Sequence, residues 1–176
     1  MKRVNPRVPA LAVALVVVAA LAAPPVWAQE PTLSELFRPD VFRQLVDLQS
    51  SLGTINRALT NPEELDRLGQ RILVLDGVAA SLMVYADSED EFYAEIELVS
   101  GAWRGVEEVE MYRAYLVLDD PIFSGRVLER APRDPGPDLI LRGRRLLVAA
   151  ELVDVHIDSD GTPVPVLVAF EVRPLP

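Results

Sequence analysis

The chain has 176 residues, with 17 basic and 27 acidic side chains for a net charge of −10, one histidine and no cysteine. Without cysteine there is no disulfide, no thiolate metal ligand and no thiol nucleophile, and a single histidine excludes a multi-histidine zinc site. An acidic surface repels phosphate backbones and anionic headgroups over about a Debye length, which argues against nucleic acid and bare membrane as partners.

Lys2, Arg3 and Arg7 precede an almost wholly apolar run from Val8 to Ala23. Val26-Trp27-Ala28 then presents the small residues that a signal peptidase reads. Residues 1–28 therefore read as a cleavable Sec-type signal peptide, with Gln29 as the new N-terminus. The apolar run is about 16 residues, short of the roughly 20 that span a bilayer, so no stable membrane insertion is expected after cleavage. Cleavage leaves 148 residues, 14 basic against 27 acidic, for a net charge of −13. An exported domain of this size without disulfides fits a bacterial periplasm, or secretion from such a cell.

Residues 29–70 read as a helical N-terminal segment. Thr32-Leu33-Ser34-Glu35 has the order of a capping box. A longer helix is expected over 40–59, where Val41, Leu45, Leu48, Leu52, Ile55 and Leu59 step by four and three along one seam. Leu45, Leu48, Leu52, Ile55 and Leu59 are the residues such a seam would offer to a partner protein or to a second copy. Asn61-Pro62-Glu63-Glu64 reads as a cap and restart, predicting a short helix over 62–69.

From Arg71 onward the pattern alternates, and residues 71–176 read as a β domain. A first strand is expected over 71–85, with a bulge or bend at Gly77. The second, over 91–100, sets Phe92, Ala94, Ile96 and Leu98 on one face and Tyr93, Glu95 and Glu97 on the other. Gly101 to Gly105 reads as a loop holding Trp103. A third strand is expected over 107–118. Asp120-Pro121 is a candidate helical turn, and Arg130 to Asp138, rich in proline, is loop. A fourth strand over 144–157 is apolar enough to be central. Asp158-Ser159-Asp160-Gly161 is a hairpin turn. The fifth strand, over 164–172, alternates Val164, Val166, Val168 and Phe170.

Five strands with a variable connection between the third and fourth, entered through Gly143-Arg144-Arg145-Leu146-Leu147-Val148-Ala149-Ala150, resemble an oligonucleotide/oligosaccharide-binding (OB) fold over residues 71–173. The resemblance implies a mainly β protein with N-terminal helices, a five-stranded antiparallel OB-like barrel preceded by a helical appendage. It also implies a ligand face across strands two and three. Tyr93, Trp103, Tyr112, Arg113 and Tyr115 are the candidate binding residues there. Six glutamates share those segments, at 91, 95, 97, 107, 108 and 110, and they would repel a phosphate backbone.

No catalytic signature stands out, and no metal or cofactor site is expected. Glu95 and Glu97 sit two apart on one strand face, so a small hydrolase of cell-wall or polysaccharide substrates is the alternative to a non-enzymatic binding or assembly module. The Asp158 turn and Asp87–Glu91 each lack the full oxygen set of a calcium loop. His156 reads as a half-exposed structural residue. Arg142, Arg144 and Arg145 form a positive patch that could dock an acidic partner but is expected to pair with the acidic strands of the same molecule. The expected partners are proteins, including self-association through the N-terminal helix.

Overall fold

The computed structural model describes residues 38–88, 91–105 and 108–176. The expected signal peptide and the expected capping box at 32–35 lie outside the described residues. The described chain opens with helix α1 (Pro39–Leu45), strand β1 (Val46–Asp47), helix α2 (Leu52–Ala58) and helix α3 (Pro62–Gly69). The helix expected over 40–59 is thus two helices separated by a strand and a turn.

Asp47 is the cause. Its Oδ1 accepts from the amides of Gln49 and Ser50 at 2.8 and 2.9 Å, and its Oδ2 from the Ser50 hydroxyl at 3.1 Å. A carboxylate that takes amides two and three residues ahead competes with the bonds a helix would make there. Ser51 then caps α2, its hydroxyl accepting from the Thr54 amide at 3.2 Å. The seam of Leu45, Leu48, Leu52, Ile55 and Leu59 is therefore not one face. Leu45 and Leu48 are exposed, while Leu52 and Ile55 are fully buried. Leu52 and Ile55 are closed to a partner helix.

Burial pushes the Asp47 carboxyl up, but the Gln49 and Ser50 amides, the Ser50 hydroxyl and the Arg71 guanidinium at 3.8 Å hold it below the ordinary carboxylate range. A depressed folded-state pKa contributes stability that is full above the unfolded pKa and is lost as pH falls through the folded one. Asp47→Asn should therefore melt below the wild type at neutral pH, and the gap should close as pH drops below about 4. Thermal unfolding of both chains across that range checks this. A gap that ignores pH would mean the charge of Asp47 does not matter.

Strands β2 (Ile72–Asp87), β3 (Phe92–Arg104) and β4 (Glu108–Leu118) follow. A 3₁₀ turn (Pro121–Phe123), capped by the Asp120 carboxylate accepting from the Ile122 amide at 2.9 Å, buries Phe123. The short strands β5 (Val127–Leu128) and β6 (Ile140–Leu141) pair with each other. Strands β7 (Arg145–Ile157) and β8 (Pro163–Pro174) complete the chain. The five expected strands are thus present at nearly the expected places. Residues 101–104, expected as loop, are instead ladder: Gly101 opposes Met111 and Trp103 opposes Val109.

The main sheet has six strands rather than five, in the order β1-β2-β3-β4-β8-β7, and β7 pairs back onto β2. The long strands thus form a ring. The ring is not wholly antiparallel, because β4 and β8 run parallel; outside it, β1 also runs parallel to β2. A cycle of five strands cannot alternate direction at every step, so at least one neighbouring pair must be parallel. Of Arg142, Arg144 and Arg145, one pairs with a carboxylate of the same molecule and two bond main-chain carbonyls. Arg142 donates to the Ala80 carbonyl, Arg144 to that of Pro137, and Arg145 meets Asp76.

The core fills the ring. Leu73, Leu75, Ile96, Leu98, Leu116, Leu146, Val148 and Leu167 share one cluster with Leu52, Ile55 and Ala58 of α2 and Leu68 of α3. The helices therefore contribute to the strands' core instead of standing apart from it. In β8 Val164 is buried, but the alternation expected after it is shifted. Leu167, Ala169 and Val172 are buried, whereas Phe170 is half exposed. Ala149 and Ala150 oppose Glu171 and Ala169, so Phe170 is an extra residue on β8, and a bulge of that kind flips the faces beyond it.

Candidate functional site

The β3–β4 ladder is unbroken from Ala94 opposite Leu118 to Arg104 opposite Glu108. Alternation sends Phe92, Ala94, Ile96 and Leu98 inward, with Tyr112, Ala114, Leu116 and Leu118. The outer face carries Tyr93, Glu95, Glu97 and Val99 from β3, and Val109, Met111, Arg113 and Tyr115 from β4. The five candidate residues are therefore divided. Tyr93, Arg113 and Tyr115 share the outer face, and Trp103 stands on it at the far end of the hairpin. Tyr112 points the other way. It is nearly buried against α2, where a Cβ added at Gly53 would lie 2.8 Å from its ring. Its hydroxyl donates to Glu110 at 2.5 Å, and Arg104 pairs with the same carboxylate. The Tyr112 hydroxyl and Arg104 hold the Glu110 carboxyl below its ordinary value against its burial.

A strip of polar side chains crosses the outer face from β2 to the β7–β8 turn. Glu95 accepts from the hydroxyls of Tyr85 and Tyr93 at 3.1 and 3.0 Å, and those rings sit 5.6 Å apart. Glu97 accepts from the Ser81 hydroxyl at 3.3 Å and faces Arg113 at 3.9 Å. Arg113 reaches Asp158 at 2.6 Å. Asp158 also accepts from the Tyr115 hydroxyl at 3.0 Å and lies 3.6 Å from His156, whose ring meets Tyr115 edge-on. His156 is 58% exposed, as its place at a strand end predicts.

The phenols are tuned as donors. The Glu95 carboxylate raises the Tyr85 pKa, while burial and then Glu95 raise that of Tyr93. Burial and the Asp158 carboxylate do the same for Tyr115. Every oxygen of Glu95, Glu97 and Asp158 already faces a donor or a cation. Among the described residues, no group of three or more His, Asp or Glu side chains is placed to hold a metal ion.

No protein-family model matches the chain, and no curated protein matches it. Among solved structures it is similar to the dimeric N-terminal domain of PriB from Thermoanaerobacter tencongensis. The identity is 14% and the TM-score 0.32, over 58% of this chain and 93% of that one.

Beyond the strip, the hairpin overhangs the ring. Trp103 opposes Val109 and Gly101 opposes Met111 on the outer face. Trp103, Val109 and Met111 are 73%, 44% and 62% exposed. Gly101 leaves bare backbone between them, with the ends of Met111 and Val109 each 3.2 Å from where its Cβ would be. Sequence reasoning names Trp103 but misses Val109 and Met111, which become its neighbours only once residues 101–104 join the ladder. It also misses Asp158 and Tyr85. The signal for Asp158 was the turn itself, since a β7–β8 hairpin laid beside β4 brings its tip over Tyr115.

Proposed function

We propose that this protein is an exported, non-enzymatic binding module that docks another protein on the overhang of its β3–β4 hairpin. The long strands are read as an OB-type ring, in support of which stand the cyclic order β2-β3-β4-β8-β7 and the parallel β4–β8 pairing. The observation that carries the function is the exposed trio Trp103, Val109 and Met111 on one face of that overhang. Trp and Met are enriched at the centres of protein interfaces, and a contiguous exposed apolar patch with a polar rim marks a docking site. The chain's net charge of −10 favours a partner with a basic rim. Against the hydrolase reading stands the polar strip, where Glu95 and Glu97 are held by Tyr85, Tyr93, Ser81 and Arg113. The N-terminal signal supports a site of action outside the cytoplasm.

A photoreactive phenylalanine in place of Trp103, activated in intact cell envelopes, tests this. One dominant protein adduct is expected, and Met111→Asp in the same chain should remove it. Adducts matching those from the probe at exposed Glu151, or recovery of the chain from the cytosol, would overturn the reading.

A further inference from the structure

We infer that the edge of β7 that no described strand covers pairs with the same edge of a second copy of this chain, centred on Val155. Strand β2 covers β7 only from Arg145 to Ala150, but β7 runs on to Ile157. Val153 and Ile157 on this stretch are 51% and 58% exposed. The β8 residues opposite Val155 and Ile157 are Pro165 and Pro163, which have no N–H to give. Proline fits such positions when the two opposed residues point their main-chain groups away from each other. The amide of Val155 confirms this direction, since it donates to the carboxylate of Asp154 at 2.7 Å and not to β8. The main-chain groups of Val155 therefore face the open edge.

The sequence on that edge is complementary to itself. Run antiparallel, Asp154-Val155-His156 sets Asp154 opposite the second copy's His156, Val155 opposite its Val155, and His156 opposite its Asp154. Directly opposed side chains in such a ladder have Cβ atoms about 4.5–5.5 Å apart, and opposite charges or β-branched pairs there are favourable. The two Val155 residues would exchange both N–H···O bonds, which releases each Asp154 from its own neighbour's amide to meet the facing imidazole. A twofold axis through Val155 generates both acid–imidazole pairs at once. Val153 is an extra residue on β7, which limits the ladder to three residues on each strand. Alongside this edge, Leu65, Asp66 and Gln70 of the α3 region and Leu152 to Val155 line an open groove of about 480 Å³, which gives the second copy's strand room and receives its Ile157 opposite Val153. The groups that face His156 within its own chain are Asp158 and the Tyr115 ring. This edge is separate from the Trp103 patch, so neither proposal depends on the other.

Sedimentation equilibrium on residues 29–176, which hold every residue of the described core, decides it. A concentration-dependent dimer is expected below about 1 mM, as for a small, transient interface. His156→Asp would oppose like charges at both pairs and should weaken the dimer about ten-fold or more. Adding Asp154→His to it restores complementarity and should restore the dimer, with circular dichroism unchanged throughout. Val155→Arg should abolish it. A wild type that stays monomeric, a dimer indifferent to His156→Asp, or a double swap that fails to rescue would each overturn the inference.

Discussion

Replacing Leu52 with alanine should cost the fold about 2–5 kcal/mol, while the same change at Leu48 should stay within about 0.5 kcal/mol. The two leucines lie four apart on one apolar periodicity, and a continuous helix would place them on the same stripe. The turn built by Asp47 separates them. Leu52 is fully buried with Ile55 and Ala58 in the cluster that includes Leu98 and Leu116, whereas Leu48 is 64% exposed. Removing three carbons from Leu52 loses both their transfer energy and the contacts of the cavity left behind. At Leu48 water already surrounds most of the side chain. Urea denaturation at constant m-value would read the difference directly. Equal, small effects would mean that α2 rests on the ring without completing its core. For the same reason, deleting the residues before 71 should leave no cooperative transition, because Leu52, Ile55, Ala58 and Leu68 go with them.

This contrast also marks what could be read from the residues. Strand positions were legible because strict alternation, as in Phe92, Ala94, Ile96 and Leu98, has no helical counterpart. The α3 start was legible because Asn61-Pro62 combines a cap with a residue preset for the first helical position, and the Asn61 side chain does accept from the Glu64 amide. The break at Asp47 was not legible, because hydrophobic spacing carries no trace of a side chain competing for backbone amides. Nor was the inward face of β8. In Val164-Pro165-Val166-Leu167-Val168-Ala169 almost every position is apolar, so periodicity cannot choose a side, and the bulge at Phe170 decides it. Gly101 misled in another way. It reads as punctuation, yet in the ladder it serves as a gap between Met111 and Val109. Of the candidate site, the outer-face trio of Tyr93, Arg113 and Tyr115 was visible in the alternation. The partners that hold it, Tyr85 and Asp158, come from chain segments that only the ring brings together.

Gly77→Ala should destabilise the protein by about 1–3 kcal/mol, and Gly77→Val by more. A sequence reading expects glycine here for a bend, but the backbone is not in the left-handed region, where, among the described residues, only Gly105, Gly125, Gly143 and Gly161 lie. Space is the requirement. A Cβ at residue 77 would stand 2.8 Å from Leu98 Cγ and 2.9 Å from the Val99 carbonyl oxygen. The leucine can turn within limits, but the carbonyl belongs to the ladder and cannot swing aside. This is also the place where β2 changes partners. Gly77 opposes Leu146 of β7, and the next residue, Val78, opposes both Arg145 of β7 and Val99 of β3. A methyl group there pushes β3 from β2 at the point where the ring turns, which should also disturb the Ser81–Glu97 pairing a few residues on. Gly101→Ala is the control, since its neighbours are the exposed ends of Met111 and Val109, and its effect should stay within about 0.5 kcal/mol. Chemical denaturation of both variants, with amide shifts of residues 81–99 as a second readout, separates crowding from a general cost of adding a side chain to a strand. If the two alanines cost the same, close approach at Gly77 is not what closes this ring.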